Sequence, residues 1–313
     1  MNEIRVGIIG AGYRGVNTLG ERIVESAKET GLRISALCDT REDRLTECRT
    51  LLQNGFHAAG IDLNISLYDN ATELITDPGV DLVMITTPQS AHRDPAVAAL
   101  GSGKKTYLDK PIAHTLEDAE RILDAERRSG GKLMMGFTRR YERPWQRAYE
   151  LLRDGAVGDL HMLLIRDVIP FHTYFQRWHR RREWSGDGLN DKQAHHMDVF
   201  NWFAGTKADR ISGFGGRRVY IPRENGPVRC LECEADCPYR SAPRRGDQRL
   251  GRPKSQEEHS LTGDSWKNAE NEFQRVDTCV YHPGADILDH AVIQVGYDNG
   301  VVGSLFVSFF GPK

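Results

Sequence analysis

Val6-Gly7-Ile8-Ile9-Gly10-Ala11-Gly12-Tyr13-Arg14-Gly15 runs an apolar strand into a turn with the spacing Gly-x-Gly-x-x-Gly. Glycines at these places allow a tight turn, close approach of the backbone to an anion, and close packing of the next helix on the strand. That helix presents its free N–H groups and the positive end of its dipole to a phosphate. Beyond Gly15, Val16, Leu19, Ile23 and Ala27 keep one helical face until Gly31 stops the helix, and Leu32, Ile34, Ala36 and Cys38 alternate as a second strand. The strand ends on Asp39, at the distance where an acidic side chain accepts hydrogen bonds from ribose hydroxyls. Strand, glycine turn, helix, strand and acid in this order predict a bound dinucleotide, with Gly10, Gly12, Tyr13, Arg14, Gly15, Asp39 and Arg41 around it. Asp39 repels a 2′-phosphate and favours NAD; Arg41, two residues on, pulls the other way and leaves NADP open.

The strand-helix alternation continues outward from this unit. A charged helix after Asp39 places Leu45, Cys48, Leu51 and Leu52 on its buried side and ends at Asn54-Gly55. A less regular stretch around Ile61 to Asp69 leads into a short helix, Ala71 to Thr76. Val80 to Thr86 is a nearly continuous apolar run of the kind buried on both faces of a parallel sheet. Thr87-Pro88 closes it at the strand's carboxyl end, the edge where open parallel sheets bind ligands. A helix through Pro95 to Leu100, a strand Lys105 to Leu108, a helix Leu116 to Arg128 and a strand Lys132 to Gly136 complete a doubly wound α/β domain over residues 1–136. From Phe137 the rhythm changes. A helix near Pro144 to Asp154, a long strand Leu160 to Val168, an aromatic and basic loop Phe171 to Trp184 and a helix from about Asp191 to Ala204 precede strands at Ile211 to Phe214, Asp286 to Tyr297 and Val301 to Phe309. Residues 137–313 read as a second domain, a sheet with helices on one side, with a Cys-rich polar insertion at about 223–282 whose part Pro243 to Arg275 forms a long surface excursion.

Bulk properties narrow the partners. The 313 residues suit about two domains, and 42 basic against 44 acidic side chains leave a formal charge of -2, so no whole-chain field points to nucleic acid or an anionic membrane. No apolar run reaches transmembrane length, and Met1 to Arg5 leads straight into the first strand without room for a secretory signal. The expected location is the cytoplasm, where the six cysteines are reduced thiols or metal ligands.

Two places carry candidate chemistry. Tyr107-Leu108-Asp109-Lys110-Pro111 ends a strand of the first domain, which projects Lys110 to the nicotinamide end of the site; a partly desolvated lysine there holds a substrate hydroxyl or carbonyl and helps move its proton. Alone, the pentapeptide reads as an exposed surface lysine. In Gly186-Asp187-Gly188-Leu189-Asn190-Asp191-Lys192-Gln193-Ala194-His195-His196-Met197-Asp198, a glycine loop enters a helix on which Asp191, His195 and Asp198 share one face at i, i+4 and i+7. An imidazole oriented by a carboxylate one turn away serves as general base for an alcohol proton. The same residues also fit a helix cap at Asn190 or Asp191 with satisfied polar core groups, or a set of metal ligands.

Taken together, Gly10 to Gly15, Asp39, Thr87-Pro88 with His92, Asp109-Lys110-Pro111, Gly136-Phe137-x-x-Arg140-Tyr141 and Asp191-x-x-x-His195 resemble the Gfo/Idh/MocA oxidoreductase family in motif order and spacing, through both domains. The resemblance implies a Rossmann domain followed by an α/β substrate domain on an open, largely antiparallel sheet that often makes a homo-oligomer interface. It implies Lys110, Asp191 and His195 as catalytic residues, and Arg140, Tyr141, Arg166 and His196 as substrate contacts. Thr87, Pro88, His92, Asp109 and Lys110 join the cofactor set. Three departures stand out. Asp109 replaces the usual glutamate and is one methylene shorter, Lys192 and Gln193 replace commoner small residues, and the chain stops just after a strand where relatives continue with further sheet.

Cys230-x-x-Cys233-x-x-x-Cys237-Pro238-Tyr239 and the distant Cys279 have the makings of a structural zinc site, with His282 as substitute fourth ligand and an iron-sulfur cluster as the alternative on the same thiols. Cys38 and Cys48 read as core packing. The Phe171 to Trp184 loop either recognises a polyol or acidic sugar or packs beneath the insertion. The expected activity is NAD(P)-dependent hydride transfer at a secondary hydroxyl of a sugar, sugar acid or cyclitol. The alternatives are a glycosidase- or epimerase-like enzyme that keeps NAD bound and a regulator that senses NAD and sugar without turnover.

Overall fold

The computed structural model describes residues 3–170, 174–224, 226–240 and 277–311. The chain divides into two compact units with the boundary between Gly136 and Phe137. In the first, β1 (Ile4–Ile9) is flanked by β2 (Leu32–Cys38) and β4 (Leu82–Ile85), and the sheet runs outward to β3 (Ser66–Tyr68) on one side and to β5 (Lys105–Asp109) and β6 (Leu133–Gly136) on the other. All five pairings are parallel in the order β3-β2-β1-β4-β5-β6. Central strands of such a sheet are covered on both faces, which is why Val6, Ile8, Val83 and Ile85 are all fully buried.

The helices follow the sequence reading with instructive differences. A π-helical turn, Arg14–Gly20, precedes α1 (Glu21–Thr30), which ends at Gly31 with φ 72°. The helix after Asp39, α2 (Glu42–Ala58), runs past Asn54-Gly55 and buries Phe56, while Leu51 stays 39% exposed. Gly55 serves packing instead of termination, because a Cβ there would lie 3.1 Å from Cγ1 of Val24 on α1. Strand β3 falls in the stretch read as irregular, its three residues being too few to show a period. The short α3 (Ala71–Thr76), α4 (Arg93–Gly101) and α5 (Leu116–Ser129) complete the layers.

In the second unit α6 (Arg143–Arg153) leads to β7 (Met162–Pro170), the one-turn α7 (Arg182–Ser185), α8 (Gly188–Ala204), β8 (Ala208–Gly216), β9 (His290–Tyr297) and β10 (Val302–Gly311). The sheet order is β7-β10-β9-β8; β10 is parallel to β7, and β9 is antiparallel to β10 and β8, so the sheet is largely antiparallel. One face packs on α8: Phe200 joins Val295, Tyr297 and Leu305 in a buried cluster, and a Cβ on Gly303 would lie 3.0 Å from its ring. On β7 alternation puts Met162, Leu164, Arg166 and Val168 on the opposite, exposed face, which Phe306 and Phe214 extend. The strand expected from Asp286 begins only at His290. Before it, the buried Asp289 carboxylate accepts hydrogen bonds from the backbone N–H groups of Arg218, Val219 and Tyr220 at 2.7–3.0 Å. The expected excursion Pro243 to Arg275 lies outside the described residues, as do Phe171 to Thr173.

Candidate functional site

In the first unit the glycine turn is built from two forced glycines and one open one. Gly10 has φ 93°, and a Cβ on it would lie 2.8 Å from the Thr87 backbone nitrogen. A Cβ on Gly15 would lie 2.4 Å from Oγ1 of Thr86 and 2.5 Å from the Gly10 carbonyl oxygen. At Gly12 nothing stands within 4 Å of the Cβ position. That open side is where a pyrophosphate can approach the backbone, so the turn fits the dinucleotide it implies. Thr86, which motif reading passed over, ties the turn to β4 by donating its hydroxyl to the Gly10 carbonyl at 2.8 Å. Tyr13 beside the turn is 37% exposed.

At the end of β2, Asp39 accepts from the Arg41 backbone N–H at 3.1 Å and from the Arg44 guanidinium at 3.3 Å. The Arg41 guanidinium pairs with Asp43. The arginine expected to pull toward NADP is therefore held by a neighbouring carboxylate, and Arg44, which motif reading missed, contacts Asp39.

The lysine loop is held from two sides. His92 is buried; its Nε2 stands 2.9 Å from the Thr87 carbonyl oxygen and its Nδ1 3.0 Å from that of Pro111. It thus ties the Thr87-Pro88 turn to the Lys110-Pro111 loop from beneath, and burial keeps its pKa below the usual imidazole range. The Lys110-Pro111 peptide bond is cis, and Lys110 is half-buried. Asp109, immediately before it, receives a bidentate pair from Arg14, Nε to Oδ2 at 3.0 Å and Nη2 to Oδ1 at 2.9 Å, and the Tyr107 hydroxyl stands 3.2 Å from Oδ1.

In the second unit α8 starts at Gly188. Its cap is Asp187, which accepts from the Leu189 N–H at 3.0 Å, so neither Asn190 nor Asp191 is the cap. Asp191 is buried, with Oδ2 3.4 Å from Nε2 of His179. His179, from the aromatic and basic loop, is a member of this cluster that the reading of the helix alone did not include. His195 follows one turn on, half-buried. Asp198 receives a bidentate pair from Arg140, both contacts at 2.8 Å, which anchors the Thr138–Tyr141 turn to α8; Tyr141 beside it is 63% exposed.

His196 and Gln193, both buried, complete a polar relay: Gln193 donates to Asp167 at 3.2 Å and accepts from Nδ1 of His196. Burial, helped by the nearby positive charges of Arg139 and Lys192, pushes the His196 pKa down to about 4 against the pull of Asp167. Asp167 was not singled out in the sequence, although strand alternation separates it from Arg166. Arg166 is exposed on the other face of the sheet, so it does not join the substrate candidates Arg140, Tyr141 and His196 on the α8 side. In the described part of the aromatic loop Tyr174, Phe175, Gln176 and Arg180 are buried, while Arg182 and Glu183 are exposed.

The zinc expectation is not supported. Among the described residues no group of three or more His, Cys, Asp and Glu side chains is arranged to hold a metal ion, and Cys230, Cys233, Cys237 and Cys279 are free thiols. The segments bearing them are joined by other means: the Cys230 N–H donates to the Asp277 carbonyl at 2.7 Å, the Cys279 N–H to that of Val228 at 2.9 Å, and Tyr220, Tyr239 and Tyr281 pack edge to face. His282 accepts a backbone N–H from Gly284 at 2.9 Å. The metal reading of Asp191, His195 and Asp198 fails the same test, with the Asp198 carboxylate already committed to Arg140.

Residues 4–137 match the family model described as the oxidoreductase family, NAD-binding Rossmann fold, and residues 149–313 match its C-terminal alpha/beta domain. The chain is 27% identical over 298 residues to the putative oxidoreductase YteT of Bacillus subtilis, covering 90% of this chain and 67% of that protein. It is 26% identical over 226 residues to the myo-inositol 2-dehydrogenase of Thermotoga maritima, covering 71% of this chain but 61% of that enzyme. A crystal structure of aldose-aldose oxidoreductase from Caulobacter crescentus complexed with glycerol shares the fold at a TM-score of 0.67 and 18% identity, over 99% of this chain and 72% of that one. The chain spans about two thirds or less of the length of these two sequence relatives. With both of its domains matched across nearly the whole length, the chain belongs to the Gfo/Idh/MocA family of oxidoreductases.

Proposed function

We propose that the chain is an NAD-dependent dehydrogenase that oxidises a secondary hydroxyl, or reduces the corresponding ketone, of a sugar, sugar acid or cyclitol. The observation that carries this reading is the cradle at Gly10, Gly12 and Gly15, open only at Gly12, followed by Asp39 at the end of β2, held by the Arg41 N–H and the Arg44 guanidinium. The pairing of Arg41 with Asp43 favours NAD over NADP. When bound, the nicotinamide accepts or returns the hydride. The proton belongs to the protein: Lys110 hydrogen-bonds the substrate oxygen, His195 takes the hydroxyl proton, and the buried Asp191 carboxylate stabilises the charge that forms there. Arg140 and Tyr141 bind further hydroxyls, and His196, neutral above pH of about 4, offers an uncharged imidazole. The inositol dehydrogenases among the sequence relatives support a polyol as substrate class. Self-association through the sheet face exposing Leu164, Phe214 and Phe306 belongs to the same proposal and is read by light scattering.

The test is to denature the purified protein, identify released nucleotide by mass spectrometry, and titrate NAD and NADP in parallel. Turnover of a panel of inositols, aldoses and sugar acids is then followed by absorbance of the reduced cofactor. Exchangeable NAD with turnover on one panel member is the expected result. Stoichiometric NAD that survives purification without net turnover supports the glycosidase- or epimerase-like reading with bound NAD instead, and binding of neither cofactor overturns the assignment.

A further inference from the structure

We propose that Arg14 and Asp109 form a brace that holds the catalytic-lysine loop to the glycine turn, making Asp109 in this chain a positioning residue for Lys110 instead of a ligand to the cofactor. The inference rests on the reading of Lys110 given above.

The pair is separated by 95 residues and spans the carboxyl edge of the sheet: Arg14 follows β1, Asp109 ends β5, and β4 lies between them in the strand order. Tyr107 and Asp109 are two residues apart on β5 and so share a face, where the phenol adds a third contact to the carboxylate. Both carboxylate oxygens are engaged, and the Asp109 side chain is 12% exposed against 32% for Arg14. The planar fork of arginine is matched to a carboxylate in both distance and direction, so the pair fixes orientation as well as separation. The neighbouring strand is shaped around it: Gly136, opposite Asp109 on β6, would put a Cβ 2.6 Å from Oδ1 of Asp109 and 2.4 Å from the Tyr107 hydroxyl. Any larger residue there would expel the cluster. Because Lys110 is the next residue after Asp109, whatever fixes the carboxylate fixes the start of the lysine loop. The shorter side chain of aspartate keeps the carboxylate close to the strand end, within reach of Arg14.

The experiment is a double-mutant cycle read at Lys110 itself. Arg14→Met, Asp109→Asn and the double variant are acetylated with acetic anhydride across pH 8–11, and the rate at Lys110 is followed by peptide mass spectrometry, with circular dichroism and melting temperature as controls for folding. A brace predicts that both single variants speed labelling at high pH, where the amine is unprotonated, by a factor on the order of five, and that the double variant exceeds neither. The conservative Arg14→Lys variant, which keeps the charge and loses the fork, restores little. Rates that move in opposite directions in the two single variants would mean that the groups act only through their separate charges, and unchanged or multiplying rates would mean no brace; any of these overturns the proposal. Turnover of Lys110→Met on the polyol panel is measured separately. If it persists, the catalytic reading of the lysine fails, while the labelling cycle still decides the brace.

Discussion

Replacing His196 by asparagine removes one titrating group while keeping a nitrogen donor in place of Nδ1 to face Gln193. In the folded protein the imidazole is buried and its pKa lies at about 4, whereas in the unfolded chain it returns to about 6.5. A depressed histidine pKa means that the unfolded state takes up the proton first as pH falls. Stability is therefore unaffected above pH of about 6.5 and is lost between about 6.5 and 4. Below that both states are protonated and the loss levels off at about 3 kcal/mol. Linkage puts roughly 1 kcal/mol of that loss at pH 5.5 and most of it by pH 4.5. The assay is urea unfolding of the wild type and His196→Asn at several pH values, followed by tryptophan fluorescence. That signal follows the relevant unit, since residues 1–136 contain no tryptophan and the Trp145 ring centroid stands 6.4 Å from that of His196. Below pH 6.5 the wild type should lose stability faster than the variant by these amounts. Parallel curves down to pH 4.5 would refute the reasoning, because they would show that His196 is not held neutral by its surroundings.

Other changes separate binding from folding. Gly12→Ala should leave stability within about 0.5 kcal/mol, since the Cβ meets nothing, yet weaken NADH binding by about tenfold by filling the cradle; an unchanged dissociation constant in a fluorescence titration would sink that reading. Gly15→Ala should cost about 1–3 kcal/mol in a denaturation curve, because its Cβ would collide with Oγ1 of Thr86 and the Gly10 carbonyl. Asp43→Ala releases Arg41 and should raise the affinity for NADP relative to NAD by about tenfold, whereas a constant ratio would show that Arg41 does not reach the 2′-position. Asp198→Asn should destabilise by about 1–3 kcal/mol, less than a fully buried pair because the Arg140 side chain is 38% exposed, and a loss under a few tenths would show the pair to be inconsequential.

The first unit was legible because its signals are local. A strand, a glycine turn, a helix stopped by Gly31 and a strand closed by Asp39 are each dictated within a few residues, and their order admits few topologies. Gly55 shows the limit of such signals: glycine after asparagine is a stop in sequence terms, and only the approach of Val24 from another helix turns it into a packing site. The candidate catalytic helix was legible in type and spacing, but its cap at Asp187 was not, nor was the contact of Asp191 with His179, which comes from a loop with no period to read. Arg166 and Asp167 are neighbours in sequence and opposites in space; which of them faces α8 depends on which side of β7 the helix packs. The cysteine spacing suggested a metal site; the contact of Arg229 with Thr278 brings the segment of Cys279 beside that of Cys230, which spacing alone could not show, yet among the described residues no group of His, Cys, Asp and Glu side chains is arranged to hold an ion. Residue types and short-range spacing thus determined the family, the fold class and the candidate chemistry. Tertiary structure alone decided which long-range partners hold those groups: Arg14 on Asp109, Arg140 on Asp198 and Gln193 on Asp167 are contacts between residues 26 to 95 positions apart, set by how sheets and helices pack and by no local rule.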